Sequence, residues 1–121
     1  MTLDAYEIEL PARPEVLGTA RAFVASVARH LKADEDVIAD LKLAISEACT
    51  DALEAGRPLR VRASRSAGSL DLEVAAPAEG WSGSPKLEDG ERAELVRSLF
   101  PGAAFADAGG ERVLRFTVAA G

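Results

Sequence analysis

The sequence predicts an α+β fold: a two-layer sandwich with a mixed, mostly antiparallel sheet covered on one face by helices. Three observations lead there. The apolar period switches between about two and about 3.6 along the chain, giving the order β-α-α-β-β-α-β-β. Strands and helices do not alternate singly, which argues against a doubly wound parallel sheet. The length, 121 residues, suits one core, so a single domain over 1–121 is expected.

Each element has its own signal. Tyr6, Ile8 and Leu10 alternate with Glu7 and Glu9, as in a strand with one buried face. Pro11 ends it, and Pro14 suits the first turn of a helix. From Pro14 to Lys32, Val16, Leu17, Ala20, Phe23, Val24, Val27, Ala28 and Leu31 form a wide helical stripe. Arg29, His30 and Lys32 place cations in its last turn, where the helix dipole favours them. Asp34 reads as the N-cap of a second helix, with Glu35 and Asp36 in its first turn. Val37, Leu41, Ala44, Ile45, Ala48, Ala52 and Leu53 make the apolar side, and the alanines allow close packing. Gly56 suits the C′ position, and Pro58 prevents continuation.

The period then becomes two. Leu59, Val61 and Ala63 mark one strand, and Leu70, Leu72 and Val74 the next, with a turn at 66–69. The proline- and glycine-bearing stretch from Ala75 to Lys86 reads as a loop. A shorter helix runs from Glu88 to Phe100 with Leu95, Val96 and Leu99 inward, and Pro101-Gly102 ends it. A last hairpin turns at 107–110 and puts Leu114, Phe116 and Val118 on one face.

Composition narrows the function. Apolar content of 48% and charged content of 28% are those of a soluble globular protein. No apolar run is long enough to span a membrane, and residues 1–6 carry no secretory signal, so a cytoplasmic setting is expected. Cys49 is the only cysteine, which excludes an internal disulfide and a cysteine-based metal cage. The net charge of −6 repels a nucleic-acid backbone on average. Arg57, Arg60, Arg62 and Arg65 gather near one strand, but only Arg60 and Arg62 need share a face. An exposed sheet face carrying cations explains them better than nucleic-acid binding.

No nucleophile triad is present, since His30, the only histidine, lies at a helix end and suits a surface or capping role. Cys49 falls among apolar neighbours, as an inert buried thiol would. Neither a Walker-type loop nor a dinucleotide fingerprint occurs. The candidate for chemistry is the acidic side of the second helix: Asp36, Asp40, Glu47, Asp51 and Glu54. Glu47 and Asp51 are one turn apart on one face, as carboxylates facing a metal-bound phosphate would be. An ordinary solvated face has the same spacing.

The element order, with the segments 10–15, 39–50 and 95–99, resembles the histidine-kinase-like ATPase (Bergerat) fold shared with gyrase B. More closely, it resembles the small anti-sigma-factor serine kinases of bacterial partner switching. In that family the second helix carries Glu-x-x-x-Asn-Ala-x-x-His, its Glu acting as base and its Asn holding Mg²⁺ against ATP. Here Glu47 and Ala52 match, while Asp51 stands for the Asn and Ala55 for the His. An aspartate can ligate Mg²⁺ through oxygen, but it adds charge beside a triphosphate. The second box, Asp-x-Gly-x-Gly, reads Ala76 for the adenine-reading Asp and Ala78 for the first Gly, leaving Gly80 and then Trp81. The third, Gly-x-Gly, reads Gly90-Glu91-Arg92.

The resemblance therefore implies a retained scaffold and a depleted ATP site. Glu47 is the candidate catalytic residue. Asp51, Gly80 and Gly90 are the remnant nucleotide-binding positions, and Asp51 is the candidate metal ligand. The expectation is a protein-binding, anti-sigma-factor-like regulator with lost or weak ATP binding and no cofactor. Its partner would be a sigma factor or an anti-anti-sigma antagonist, neither nucleic acid nor membrane. Self-association through the first strand and helix, as a homodimer, is a further expectation; Trp81 reads as a loop anchor and, where side chains close the pocket, as its candidate plug. The alternatives are an active serine kinase using ATP and Mg²⁺, and an interaction module unrelated to transcription.

Overall fold

The computed structural model describes residues 4–54, 56, 58–66, 68–77 and 91–119. Along the chain run β1 (Asp4–Leu10), α1 (Val16–His30), α2 (Glu35–Glu54), β2 (Leu59–Ser66), β3 (Ser69–Pro77), α3 (Glu91–Leu99), β4 (Ala104–Ala108) and β5 (Glu111–Ala119). This is the expected order. The five strands lie in the order β1-β2-β3-β5-β4. Every pairing is antiparallel, so the sheet is not mixed. The reason is connectivity: hairpins join β2 to β3 and β4 to β5, and the remaining returns also reverse direction.

The core lies between the sheet and the helices. Leu59, Val61 and Ala63 of β2 face it, with Leu70, Leu72, Val74 and Ala76 of β3 and Leu114, Phe116 and Val118 of β5. Val24, Ala25 and Ala28 of α1 and Ile38, Leu41, Ala44, Ile45, Ala48 and Cys49 of α2 close it from the other side. Ala44 and Ala48 are wholly buried, so the small residues do permit close packing of α2. Phe100 stacks on Phe116 with ring centroids 4.9 Å apart, fastening the end of α3 to the sheet.

Three boundaries move. Helix α1 ends at His30, not Lys32, because Lys32 adopts the left-handed conformation at φ 64°. Its first turn starts after Pro14, with the Val16 N–H donating to the Arg13 carbonyl at 3.1 Å. Strand β3 continues through Ala75, Ala76 and Pro77, which pair with Val113, Arg112 and Glu111. The loop expected from Ala75 therefore begins after Pro77; the ladder to β5 keeps those residues extended. The expected start of the third helix at Glu88 lies outside the described residues.

The uncovered face of the sheet is a lattice of charge. Arg60 holds Glu111 through two bonds of 2.9 and 2.7 Å and meets Glu7 at 3.3 Å. Arg115 meets Glu73 at 3.0 Å, and the Thr117 hydroxyl donates to Asp71 at 2.8 Å. Arg62 lies opposite Glu7 on one side and Glu73 on the other. The cations expected on this face are thus interleaved with carboxylates.

Candidate functional site

Helix α2 positions the candidate residues. Glu35 and Asp36 occupy its first turn, and the Ile38 N–H donates to the Asp34 carbonyl at 3.0 Å. Gly56 follows its last turn at φ 75°, with its N–H on the Leu53 carbonyl at 3.0 Å, as a terminating glycine does. One stripe of the helix is buried in the core, and the opposite stripe carries Asp36 and Asp40 in solvent. Glu47 lies on that acidic side but is half-buried. Leu43, between Asp40 and Glu47, is 43% exposed.

A polar ladder beside Glu47 was not anticipated. An Arg21 guanidinium N–H donates to the Ser46 hydroxyl at 3.0 Å, tying α1 to α2. The Ser46 hydroxyl donates to the Lys42 carbonyl at 2.9 Å, and that of Thr50 to the Ser46 carbonyl at 2.7 Å. Serine and threonine commonly bond back one turn in helices. The available signal was an arginine in the otherwise small and apolar segment 19–25 of α1.

The backbone of α2 carries Asp51 one turn after Glu47. The side chains of Asp51 and Glu54 lie outside the described residues, as do Ala55, Ala78, Gly80, Trp81 and Gly90. Arg92 falls in α3, and its side chain too lies outside the description. Ala76 is described: it points into the helix-covered face and is 1% exposed. A buried methyl group offers adenine no acceptor. Among the described residues no three His, Cys, Asp or Glu side chains form a metal-binding group. Of the candidate site residues, the described side chains are those of Glu47 and Ala76.

Cys49 is fully buried, and burial pushes its thiol up to about 12. It is protonated and inert, as expected.

The five-stranded sheet, with three helices on one face and an acidic second helix, defines a class that comparison with known proteins identifies. Residues 10–111 match the histidine kinase-like ATPase domain, and the chain belongs to that family. Within it, the chain is similar to anti-sigma-factor kinases of the RsbW kind. Serine-protein kinase RsbW of Bacillus pumilus is 42% identical over 53 residues, covering 44% of this chain and 33% of that protein. RsbW of Bacillus subtilis is 43% identical over 51 residues, covering 42% and 32%. The matched stretch thus spans about a third of each curated relative. A crystal structure of the RsbU and RsbW domains of Rv1364c from Mycobacterium tuberculosis superposes with a TM-score of 0.76. That match has 22% identity and covers 97% of this chain and 32% of the other, and it bears on the fold alone. No described helix is long and apolar enough to cross a membrane.

Proposed function

We propose that this domain is a protein-binding regulator of the partner-switching type, with weak or lost ATP binding. Its partner would be a sigma factor or the antagonist that releases one, in a cytoplasmic setting. The observation that carries this reading is Ala76, a buried methyl at the position matching the family's adenine-reading aspartate, within a kept fold. Losing a buried hydrogen bond of that kind costs about 1–3 kcal/mol, roughly a ten- to hundredfold weakening. Asp51 in place of the magnesium-holding amide and Arg92 in place of a glycine weaken the site in the same direction.

Isothermal titration with ATP and Mg²⁺ tests the nucleotide part. No heat of binding up to about millimolar ATP, a limit near 4 kcal/mol, is the expected result. Affinity capture from the native host tests the partner part, and recovery of a sigma factor or its antagonist is expected. The retained Glu47 favours one second reading, an active serine kinase with Glu47 as base and Asp51 as metal ligand. Micromolar ATP binding that disappears in Glu47→Ala or Asp51→Ala would establish it instead.

A further inference from the structure

We propose that the uncovered face of the sheet docks a partner protein through a surface arginine, whose side chain enters a notch between Glu9 and Glu111. The inference does not rest on the function proposed above. Nor does it depend on whether the outer edge of β1 is paired, because the notch opens on the face of the sheet. Its volume is about 170 Å³, and Glu9 of β1, Arg60 of β2, Ala75 and Pro77 of β3 and Glu111 of β5 line it.

The charges around the notch do not balance. Arg60 gives both terminal nitrogens to Glu111 at 2.9 and 2.7 Å, and its Nε lies 3.3 Å from Glu7. Glu9 stands directly across from Arg60 in the register of β1 and β2, yet it is exposed and forms no ion pair with a described residue. Three carboxylates, Glu7, Glu9 and Glu111, thus surround one guanidinium, an excess of two negative charges. Arg62, the next cation on this face, stands a row away, across from Glu7 and Glu73. The side chain that completes the notch is therefore a cation.

The floor selects which cation. Ala75 is 2% exposed and Pro77 half-buried, so the base of the notch is apolar. Ala75 is paired to β2 on one side and β5 on the other, which keeps that base rigid. A guanidinium is planar and weakly hydrated; it lays a face on such a floor and turns an edge to a carboxylate. A lysine ammonium is a strongly hydrated point charge and gains less. Glu111 is already held by Arg60, so its remaining lone pairs are aimed before a ligand arrives. Beyond the notch, Ala75, Val113 and Ala106 stand in one row across β3, β5 and β4. Short side chains there let the surface that carries the arginine come close, and arginine is a common anchor of protein interfaces.

The test titrates nitrogen-15-labelled protein with an end-blocked peptide of one arginine between glycines, and with the same peptide carrying citrulline, the neutral isostere. Expected are saturable amide shifts at Glu9, Arg60, Ala75 and Glu111, with a Kd of roughly 1–10 mM for the arginine peptide, and none with citrulline. Glu9→Gln should weaken binding roughly threefold or more while leaving the melting temperature unchanged. Arg57, next to the notch in sequence, lies outside the described residues, and Arg57→Ala should leave binding unchanged. Shifts that do not saturate, equal shifts with citrulline, shifts spread over the acidic side of α2, or indifference to Glu9→Gln would overturn the proposal. So would binding that appears only in Arg57→Ala, which would assign the notch to the chain's own arginine.

Discussion

Cys49 and Arg60 show how single side chains report on this fold. Burial alone raises the Cys49 thiol from its ordinary 9.0 to about 12. The sign follows: the unfolded chain loses this proton near pH 9, whereas the folded chain keeps it until about pH 12. The thiol's contribution is complete below pH 9 and declines as pH rises toward 12, by about 1.4 kcal/mol per pH unit. Urea unfolding between about pH 9 and 11 should therefore decline more steeply for the wild type than for Cys49→Ala. Equal slopes would show that the thiol meets solvent. The hydrogen bonds of Arg60 to the Glu111 carboxylate, opposed by some desolvation, raise the Arg60 pKa further above the ordinary arginine value. That contribution is fully present at neutral pH and lost only above the arginine range, so Arg60 adds no pH dependence to stability near neutral pH. Its side chain is 32% exposed and its Glu111 partner 30%. Arg60→Ala should accordingly cost only about 1 kcal/mol, shrinking in high salt, as denaturant titrations at two ionic strengths would read.

Helix and strand ends are where local chemistry meets tertiary pairing. Lys32 closes α1 in a Schellman motif: the Ala33 N–H reaches the Ala28 carbonyl at 3.0 Å, and the Lys32 N–H reaches that of Arg29 at 3.0 Å. This position requires a positive φ, which a side chain disfavours by about 1 kcal/mol. Lys32→Gly should therefore stabilise the domain by up to about 1 kcal/mol, seen as a higher urea midpoint at unchanged slope. An unchanged midpoint would mean that the added freedom of the unfolded glycine cancels the relief. Nothing in the periodicity singled out Lys32; its charge suited a last helical turn, and the cap depends on where the chain turns toward α2. The hairpin before β5 was legible, because Gly109 and Gly110 supply the two positive φ values of a tight turn, 56° and 81°. The end of β3 was not. Ala75 and Pro77 weaken a strand by local preference, and only the ladder to β5 holds them extended.

At the scale of the molecule, the sheet has a core face and a charged face, and they were legible to different degrees. The core face follows from alternation within each strand, so Val61, Leu72, Val74 and Phe116 were placed by pattern alone. The charged face depends on register between strands, which no single segment contains. Arg60 and Arg62 read as loose cations until Glu7, Glu73 and Glu111 arrive on neighbouring strands. The candidate site divides the same way. Glu47 was visible from helical spacing, but the burial of Ala76 depends on β3 continuing under the helices. The charge lattice carries a consequence for partners. A phosphate backbone needs cations free to replace its counterions. Here Arg60 and Arg115 are engaged with carboxylates, and the whole chain bears a net charge of −6. Duplex DNA should therefore show no retention in fluorescence anisotropy at about 0.1 M salt, and Arg62→Ala should change nothing. Salt-sensitive binding that Arg62→Ala abolishes would mean that the lattice opens to release its cations.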